Sequence, residues 1–213
     1  MRIRGRPQTI SDDDLIDAAS AVFLEQGVGA TTAAVARKAR ISESVIFHRY
    51  KTKEALFLAV LDRVIRLPPI LEHLETRIGQ GEVADTLFDI GMGVMEEARR
   101  VMPFFMMASM LARASSWKLD ELRDRMTKPP PAHLQSVRLL ARYFKGETEA
   151  GRLRPVDSEA VARMFLGAVM QEVMQQQWLG GPKSSPLEGP TFVRGLVEVF
   201  LHGLAAQVSP KPR

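Results

Sequence analysis

Residues 31–56 read TTAAVARKARISESVIFHRYKTKEAL, and this stretch predicts three short helices separated by tight turns. Serine and threonine are favoured N-cap residues, because their side-chain oxygen accepts a hydrogen bond from a free backbone N–H of the first helical turn. Thr32, Ser42 and Thr52 each precede an apolar stripe of helical spacing, so we expect one helix to begin at each of them. Two short helices joined by a four-residue turn are typical of a helix-turn-helix, whose second helix enters the major groove of DNA.

The second of these helices has an inner and an outer side. At about 100° per residue, Ile46 and Tyr50 point to the core. Ile41, just before the cap, has the spacing of a hydrophobic staple with Ile46. The side chains that project outward are Ser44, Val45, Phe47 and His48.

Positive charge is concentrated around the predicted helix-turn-helix. Residues 37–53 include six basic side chains and one acidic side chain, and the first nine residues add Arg2, Arg4 and Arg6. The whole chain has a formal net charge of only +4, which is less than the positive charge of these two stretches, so the excess lies near this unit. Focused positive charge attracts polyanions such as nucleic acid. We interpret residues 1–10 as a basic arm that reaches DNA, with a solubilising tail as the alternative.

Residues 11–60 resemble the DNA-binding domain of TetR-family transcriptional regulators. The family pattern is a first helix ending in glycine, a Thr-Thr pair, a small-residue helix, a Ser-capped recognition helix with an aromatic residue, and a Lys-Glu pair. Its counterparts here are Leu15–Gly27, Thr31-Thr32, Val35-Ala36-Arg37-Lys38-Ala39, Ile41-Ser42, Phe47-His48-Arg49-Tyr50 and Lys53-Glu54-Ala55-Leu56. The chain departs from the pattern at Arg40, where the family usually has glycine, and at Phe47, where it usually has tyrosine.

The resemblance implies DNA contacts for eight residues, which physical arguments divide into groups. Residues at helix N-termini are suited to phosphate, because free N–H groups and the helix dipole favour an anion there. Those expected phosphate contacts are Thr32, Ser42 and Lys53, and Lys38 is a further contact. Those expected to reach base edges are Ser44, Val45, Phe47 and His48. For Ser42, helix capping alone is the alternative.

Length and composition limit the number of domains and exclude several classes of site and of protein. A chain of 213 residues has room for a small DNA-binding domain and a second domain of ordinary size. It has no cysteine, which excludes disulfides, thiolate metal sites and thiol redox sensing. No apolar run approaches about 18 residues, and the N-terminus lacks the apolar region of a signal peptide. We expect a cytoplasmic protein that does not enter a membrane.

The sequence after residue 66 predicts helices only. Leu67-Pro68-Pro69 stops or bends the chain after the helix that begins at Lys53, and apolar stripes of helical spacing follow. Pro103 is predicted to begin a new helix, and Pro129-Pro130-Pro131 and Gly180-Gly181 mark further breaks. We therefore predict an all-α fold of about nine helices. Its predicted parts are a basic arm at 1–10, a three-helix helix-turn-helix DNA-binding domain at 11–66, a helical ligand-binding and dimerisation domain at 67–208, and a tail at 209–213.

The last two predicted helices, at about 158–179 and 190–207, have broad apolar faces. In the resembled family this pair forms a four-helix bundle with its mate in a homodimer; completing the core of one chain is the alternative. The predicted dimer contacts are Val169, Val173, Leu196 and Phe200. A two-fold dimer reads two half-sites, which predicts a palindromic operator in double-stranded DNA.

Methionine is concentrated in the second predicted domain. Ten of the eleven methionines lie between Met92 and Met174, and methionine fills irregular apolar space. The second domain of the resembled family usually binds a small molecule, so we expect a cavity for a small hydrophobic ligand; plain core is the alternative. Its predicted lining is Met92, Met95, Phe105, Met106, Met110, Trp117, Phe144 and Phe165.

Catalysis has little support in the sequence. The four histidines have no paired spacing for a metal, and the Ser-x-x-Lys pattern at Ser115 and Lys118 lacks the companion motifs of acyl enzymes. We expect no enzymatic activity, metal or cofactor. The predicted function is that of a ligand-responsive transcriptional repressor. The alternative is a helical scaffold or adaptor that binds protein partners through a methionine-rich surface.

Overall fold

The computed structural model describes residues 10–113, 132–178 and 188–203. In those ranges it has no β-strand, and the predicted all-α class is confirmed. The α-helices of the described residues are, in chain order, α1 Asp12–Gln26, α2 Thr32–Ala39, α3 Glu43–Tyr50, α4 Lys53–Val64, α5 Pro69–Glu72, α6 Val83–Arg113, α7 Ala132–Glu149, α8 Ser158–Trp178 and α9 Gly189–His202. Two short 3-10 helices, Gly27–Gly29 and Leu74–Arg77, complete the helical elements of the same ranges.

The chain divides into two compact units. The first combines Met1–Arg66 with Arg100–Ala132, and the second combines Leu67–Arg99 with His133–Arg213. Helix α6 therefore contributes its earlier turns to the second unit and its last turns to the first. The domain boundary that we placed after residue 66 on sequence grounds takes no account of this contribution and stays a prediction.

The first unit has one apolar core, which lies behind the helix-turn-helix. Helix α1 begins at Ser11, whose side chain accepts a hydrogen bond from the Asp14 N–H at 3.0 Å, and this bond caps the helix. Phe23 of α1 packs edge-on against Phe57 of α4, with 5.1 Å between ring centroids. Phe104 of α6 packs against Phe57 at 6.5 Å. These aromatic rings join α1, α4 and the end of α6 into one support.

Pro103 does not begin a new helix, so that prediction is wrong. It lies inside the continuous helix α6. A proline in a helix has no N–H for the carbonyl four residues before it, which here is that of Arg99. The Gln177 side-chain amide donates a hydrogen bond to the Arg99 carbonyl at 2.9 Å. A side chain of α8 thus satisfies the carbonyl that Pro103 leaves free, and α6 continues through the proline.

The second unit packs α6, α7, α8 and α9 around its own core. Phe165 of α8 and Phe200 of α9 meet edge-on with 5.3 Å between centroids. Gly91 of α6 has no Cβ, and a Cβ there would lie 2.6 Å from Val193 Cγ1 of α9, so this glycine permits close approach of the two helices. Helix α8 is capped by Asp157, whose Oδ1 accepts from the N–H groups of the second and third helical residues at 3.1 and 3.0 Å.

Candidate nucleic-acid interface and ligand pocket

The turn between α2 and α3 is held by two threonines with different roles. Thr31 caps α2, because its Oγ1 accepts a hydrogen bond from the Ala34 N–H at 3.1 Å; the prediction that Thr32 is the cap is wrong. Thr32 is the first helical residue, its side chain is buried, and its hydroxyl donates to Glu43 Oε1 of α3. The Thr32 side chain therefore joins α2 to α3, and only its backbone N–H remains for the predicted phosphate contact.

The other two predicted N-caps are at the expected positions. Ser42 precedes α3 but makes no capping bond; its hydroxyl lies 2.8 Å from the Ser44 hydroxyl. Thr52 caps α4, since its Oγ1 accepts from the Ala55 N–H at 3.0 Å. Ser42 and Ser44 are both exposed, so their hydroxyls are free to exchange their mutual bond for one to DNA.

Helix α3 presents the outer side that the sequence predicted. Ser44 and His48 are exposed, Val45 is half-buried, and Phe47 is 43% exposed although it is aromatic. On the inner side, Ile46 is fully buried. The DNA-contact roles of the outer residues stay predictions, but their accessibility is what those roles require.

Polar contacts supplement the weak apolar attachment of α3, in which Ile46 is the one fully buried side chain. Arg49 donates to Asp12 Oδ1 of α1 and to the Ile10 carbonyl, both at 2.8 Å. Tyr50 is half-buried, and burial, followed by the negative charge of Asp12, raises its pKa above the ordinary 10.0. Helix α3 is thus held to α1 by charged groups as well as by its apolar side.

The basic residues around the helix-turn-helix are not all available to a ligand. Lys53 is half-buried, and its Nζ donates to the carbonyls of Val28 and Ala30 at 3.2 and 3.1 Å, which fixes the start of α4 to the turn after α1. Arg49 is paired with an aspartate, as described above. Between residues 32 and 53, all of which the structure describes, the lysines and arginines that are exposed and have no ion pair are Arg37, Lys38, Arg40 and Lys51. This group supplies the positive surface around α3.

The second unit contains a pocket of about 820 Å³, a size typical of small-molecule sites. Its wall is mainly apolar, and its polar residues are two arginines, a glutamate and a histidine. The lining consists of Glu82, Val83, Ala84, Leu87, Phe144, Arg152, Leu153, Arg154, Val156, Val161, Met164, Val199, Phe200, Leu201 and His202. It therefore lies among the start of α6, the loop after α7, the start of α8 and the end of α9.

This pocket is not where the sequence placed the ligand. Of the predicted lining residues, Phe144 belongs to it. Met95 and Phe165 are fully buried core residues, and Met110 is 56% exposed in the first unit. Met92, Phe105 and Met106 are half-buried outside the pocket. Trp117 lies outside the described residues, as do Arg2, Arg4 and Arg6, the proline run at 129–131 and Gly180-Gly181.

A buried polar cluster adjoins the pocket. Glu147 is fully buried; its carboxylate accepts from the Gly79 N–H at 3.0 Å and faces Arg152 Nε at 3.3 Å. Tyr143 is also fully buried, and its hydroxyl has no hydrogen-bond partner of normal length within the described part of the chain. Burial, with Glu147 adding to it and Thr86 opposing it, raises the pKa of Tyr143 to about 12. Glu147 holds Arg152 in the pocket wall.

The predicted dimer residues differ in how much of each side chain is exposed on the surface of one chain. Val169 and Val173 are completely buried within one chain, so their side chains have no exposed surface, and their role as dimer contacts stays a prediction. Leu196 and Phe200 are half-buried. The apolar side chains of α8 and α9 that one chain leaves most exposed are Met164 at 64%, Val199 at 40% and Met170 at 37%.

The described ranges show neither a membrane span nor a metal site. None of their helices is long and apolar enough to cross a membrane. They also contain no group of three or more histidine, aspartate or glutamate residues arranged to hold a metal ion.

Two family models match this chain. Residues 15–60 match the model described as "Bacterial regulatory proteins, tetR family", and residues 101–204 match "AefR-like transcriptional repressor, C-terminal domain". A relative that matches most of the chain is the uncharacterized HTH-type transcriptional regulator YvkB of Bacillus subtilis (strain 168). It is 26% identical over 191 residues, which are 85% of this chain and 95% of YvkB.

Solved structures of similar fold agree with these matches. The TetR family transcriptional regulator PfmR from Thermus thermophilus has a TM-score of 0.60 at 16% identity, covering 90% of this chain and 99% of PfmR. FadR from Bacillus subtilis, solved in complex with stearoyl-CoA, has a TM-score of 0.63 at 16% identity, covering 92% of this chain and 100% of FadR. At such identity these two structures show the fold alone.

Proposed function

The chain belongs to the TetR family of transcriptional regulators, and on that premise we propose that it is a repressor that binds an inverted-repeat operator as a homodimer and leaves it when a small apolar molecule binds. The observation that carries the DNA-binding part is the outer side of α3. Ser44, Phe47 and His48 are exposed there, and the exposed cations before and after the helix have no ion pair with any residue that the structure describes. Such an arrangement is suited to base contacts in the groove and phosphate contacts on either side.

The homodimer supplies the second recognition helix that an inverted repeat requires. Because Val169 and Val173 are already buried in one chain, we assign the partner surface to the outer residues of α8 and α9. Met164, Met170 and Val199 are the exposed apolar side chains there. Leu196 and Phe200, which are half-buried, complete the surface.

The ligand site is assigned to the pocket of the second unit, with Leu87 and Phe144 as its buried apolar floor. Arg154 and His202 supply polar groups at the exposed rim, so an apolar molecule with one polar end fits the lining. The similar FadR fold carries stearoyl-CoA, an apolar chain with a polar end, which supports this ligand class. The protein would act in the cytoplasm, where both the operator and such a ligand occur.

Release of DNA requires that the ligand favour the DNA-free form. A 100-fold loss of operator affinity corresponds to about 2.7 kcal/mol of coupling. Helix α6 offers a covalent route, since Leu87 lines the pocket and Phe104 of the same helix packs against Phe57 of α4. A displacement of α6 by the ligand would thus alter the support of α4, the helix that follows the helix-turn-helix.

Selection of bound duplexes from random DNA with the full chain tests the first part. We expect enrichment of an inverted repeat. His48→Ala should change base preference at one position of each half-site, at a cost of about 1–3 kcal/mol. Lys38→Ala should weaken binding to all sequences alike. An adaptor protein would enrich no palindrome, and that outcome would overturn the proposal.

Two further measurements test the dimer and the ligand. Met170→Asp should give monomers in sedimentation, because a charge would be buried in the interface, whereas Met110→Asp, a matched exposed methionine of the first unit, should stay dimeric. Dodecanoate should release operator DNA from the unmodified protein, and Val161→Trp, which fills the pocket, should abolish release but not DNA binding. Unchanged release by Val161→Trp would place the ligand elsewhere.

A further inference from the structure

Two residues of the described chain combine a basic side chain with a backbone conformation that favours glycine. Arg40, in the turn before α3, has φ 56° and ψ 40°, and Lys51, in the turn after α3, has φ 63° and ψ −42°. No other non-glycine residue within the described ranges has a positive φ. The two strained positions therefore stand at the two ends of the helix proposed to read DNA.

Both positions are costly for a side chain. In the left-handed region the Cβ atom crowds the following carbonyl oxygen, and glycine avoids this crowding. Lys51 is the centre of a γ-turn in which the Thr52 N–H donates to the Tyr50 carbonyl at 2.6 Å, and γ-turns with positive φ are rare and strained. Glycine at either position would relieve the strain, so a basic residue needs a compensating role.

Within the described residues, the Arg40 and Lys51 side chains make few contacts that could stabilise the fold. Arg40 is exposed, and its guanidinium has no hydrogen-bond or ion-pair partner among the described residues. Lys51 is exposed and donates one hydrogen bond to the His48 carbonyl at 3.1 Å, at the end of its own helix. By contrast, Arg49 between them is held by Asp12. Residues in sparsely populated backbone regions cluster at functional sites, where the strain is tolerated for the sake of function.

We propose that Arg40 and Lys51 bind backbone phosphates of duplex DNA on either side of the recognition helix, in place of the glycines that the backbone favours. Helix α3 has eight residues and is therefore about 12 Å long, short enough to lie in one major groove. Cations in the turns at its two ends would then stand next to the phosphates that border the groove. The inference deepens the proposed DNA binding and rests on it.

The test separates strain from charge with two substitutions at each position. Arg40→Gly and Lys51→Gly remove both the strain and the charge, whereas Arg40→Gln and Lys51→Gln remove the charge alone. Arg138→Gln, an exposed arginine of α7, is the control for net charge. Binding of the full chain to a 30-bp duplex of random sequence and to the selected operator is measured by fluorescence anisotropy over a series of KCl concentrations, and stability is measured by urea unfolding.

We expect each glycine variant to be more stable than the unmodified protein, with an unfolding constant roughly two- to fivefold smaller. All four variants should bind both duplexes more weakly, and the salt dependence should fall by about one ion per subunit for each phosphate that is no longer bound. The glutamine variants should lose the same affinity without gaining stability, and the control should change neither property.

Several outcomes overturn the proposal. Glycine variants that keep full affinity and salt dependence would show that the cations do not meet phosphate, while leaving the proposed function intact if the unmodified protein binds its operator. Glycine variants that are less stable than the unmodified protein would show that the side chains serve the fold. An unmodified protein that binds neither duplex would overturn this inference together with the proposed function.

Discussion

Tyr143→Phe should protect the fold against alkaline unfolding. The Tyr143 ring is fully buried in α7, and burial raises the pKa of its hydroxyl from 10.0 to about 12. A raised pKa means that the folded state holds this proton more tightly than the unfolded chain does. The corresponding stability is complete below pH 10 and is lost as the pH rises from 10 through 12, because the unfolded chain then ionises first.

The size of the effect follows from the shift. One pKa unit corresponds to about 1.36 kcal/mol, so a shift of about two units corresponds to a loss of about 2.7 kcal/mol in the free energy of unfolding. Phenylalanine cannot ionise, and the variant should therefore keep this stability. At pH 8 the two proteins should differ by less than about 1 kcal/mol, since the hydroxyl that is removed has no hydrogen bond of normal length to lose.

Urea unfolding at steps between pH 8 and pH 12 measures this difference directly. Lysines titrate in the same range, but they do so in both proteins, so the difference between the two curves isolates Tyr143. The chain has two tyrosines, and Tyr50→Phe is the control that leaves Tyr143 as the single phenol in an absorbance titration. If the unmodified protein and Tyr143→Phe lose stability in parallel from pH 10 to pH 12, the reasoning from burial is refuted.

Two further predictions concern stability within the second unit. Gln177→Ala should lower the free energy of unfolding by about 0.5–1.5 kcal/mol in urea, because the exposed Arg99 carbonyl loses its side-chain partner; Gln171→Ala, an exposed residue of the same helix, should have little effect. Gly91→Ala should cost about 1–3 kcal/mol, because its Cβ would lie 2.6 Å from Val193 Cγ1. Adding Val193→Ala should offset part of that cost, and strictly additive losses would contradict the proposed clash.

The DNA-binding unit was predictable because its signals are local. Caps and apolar spacing within a few residues give the three helices between residues 32 and 64. The error of one residue at the start of α2 has a tertiary cause. Thr31 and Thr32 are equally good caps by residue type. In the structure Thr31 caps α2, while the Thr32 hydroxyl donates to Glu43 of α3, a contact that the local pattern does not predict.

The error at Pro103 also has a long-range cause. A proline at this point is compatible with a helix start, which its missing N–H favours. In the structure the helix continues through Pro103, and Gln177, 78 residues from Arg99 in the chain, donates to the free carbonyl. No pattern around residue 103 contains that information.

The dimer and ligand assignments show what apolar periodicity leaves open. A stripe such as Phe165, Val169 and Val173 identifies the buried side of α8 correctly, but it does not say whether the same chain or a partner covers it. The pocket depends on the convergence of four separate segments. Val83, Leu153 and Phe200 all line the pocket, although the local sequence around each of them does not predict that the other two lie nearby.

The position of Pro103 bears on the proposed coupling. The two units are joined covalently between residues 66 and 67, within α6 between 99 and 100, and between 132 and 133. The first connection is non-helical and is followed by Pro68. Helix α6 is continuous between residues 99 and 100. Its backbone lacks one hydrogen bond, because Pro103 has no N–H for the Arg99 carbonyl, and Gln177 donates to that carbonyl instead. The ligand-driven displacement of α6 that we propose would therefore act on a helix whose Arg99 carbonyl depends on a side chain of α8 rather than on a backbone N–H.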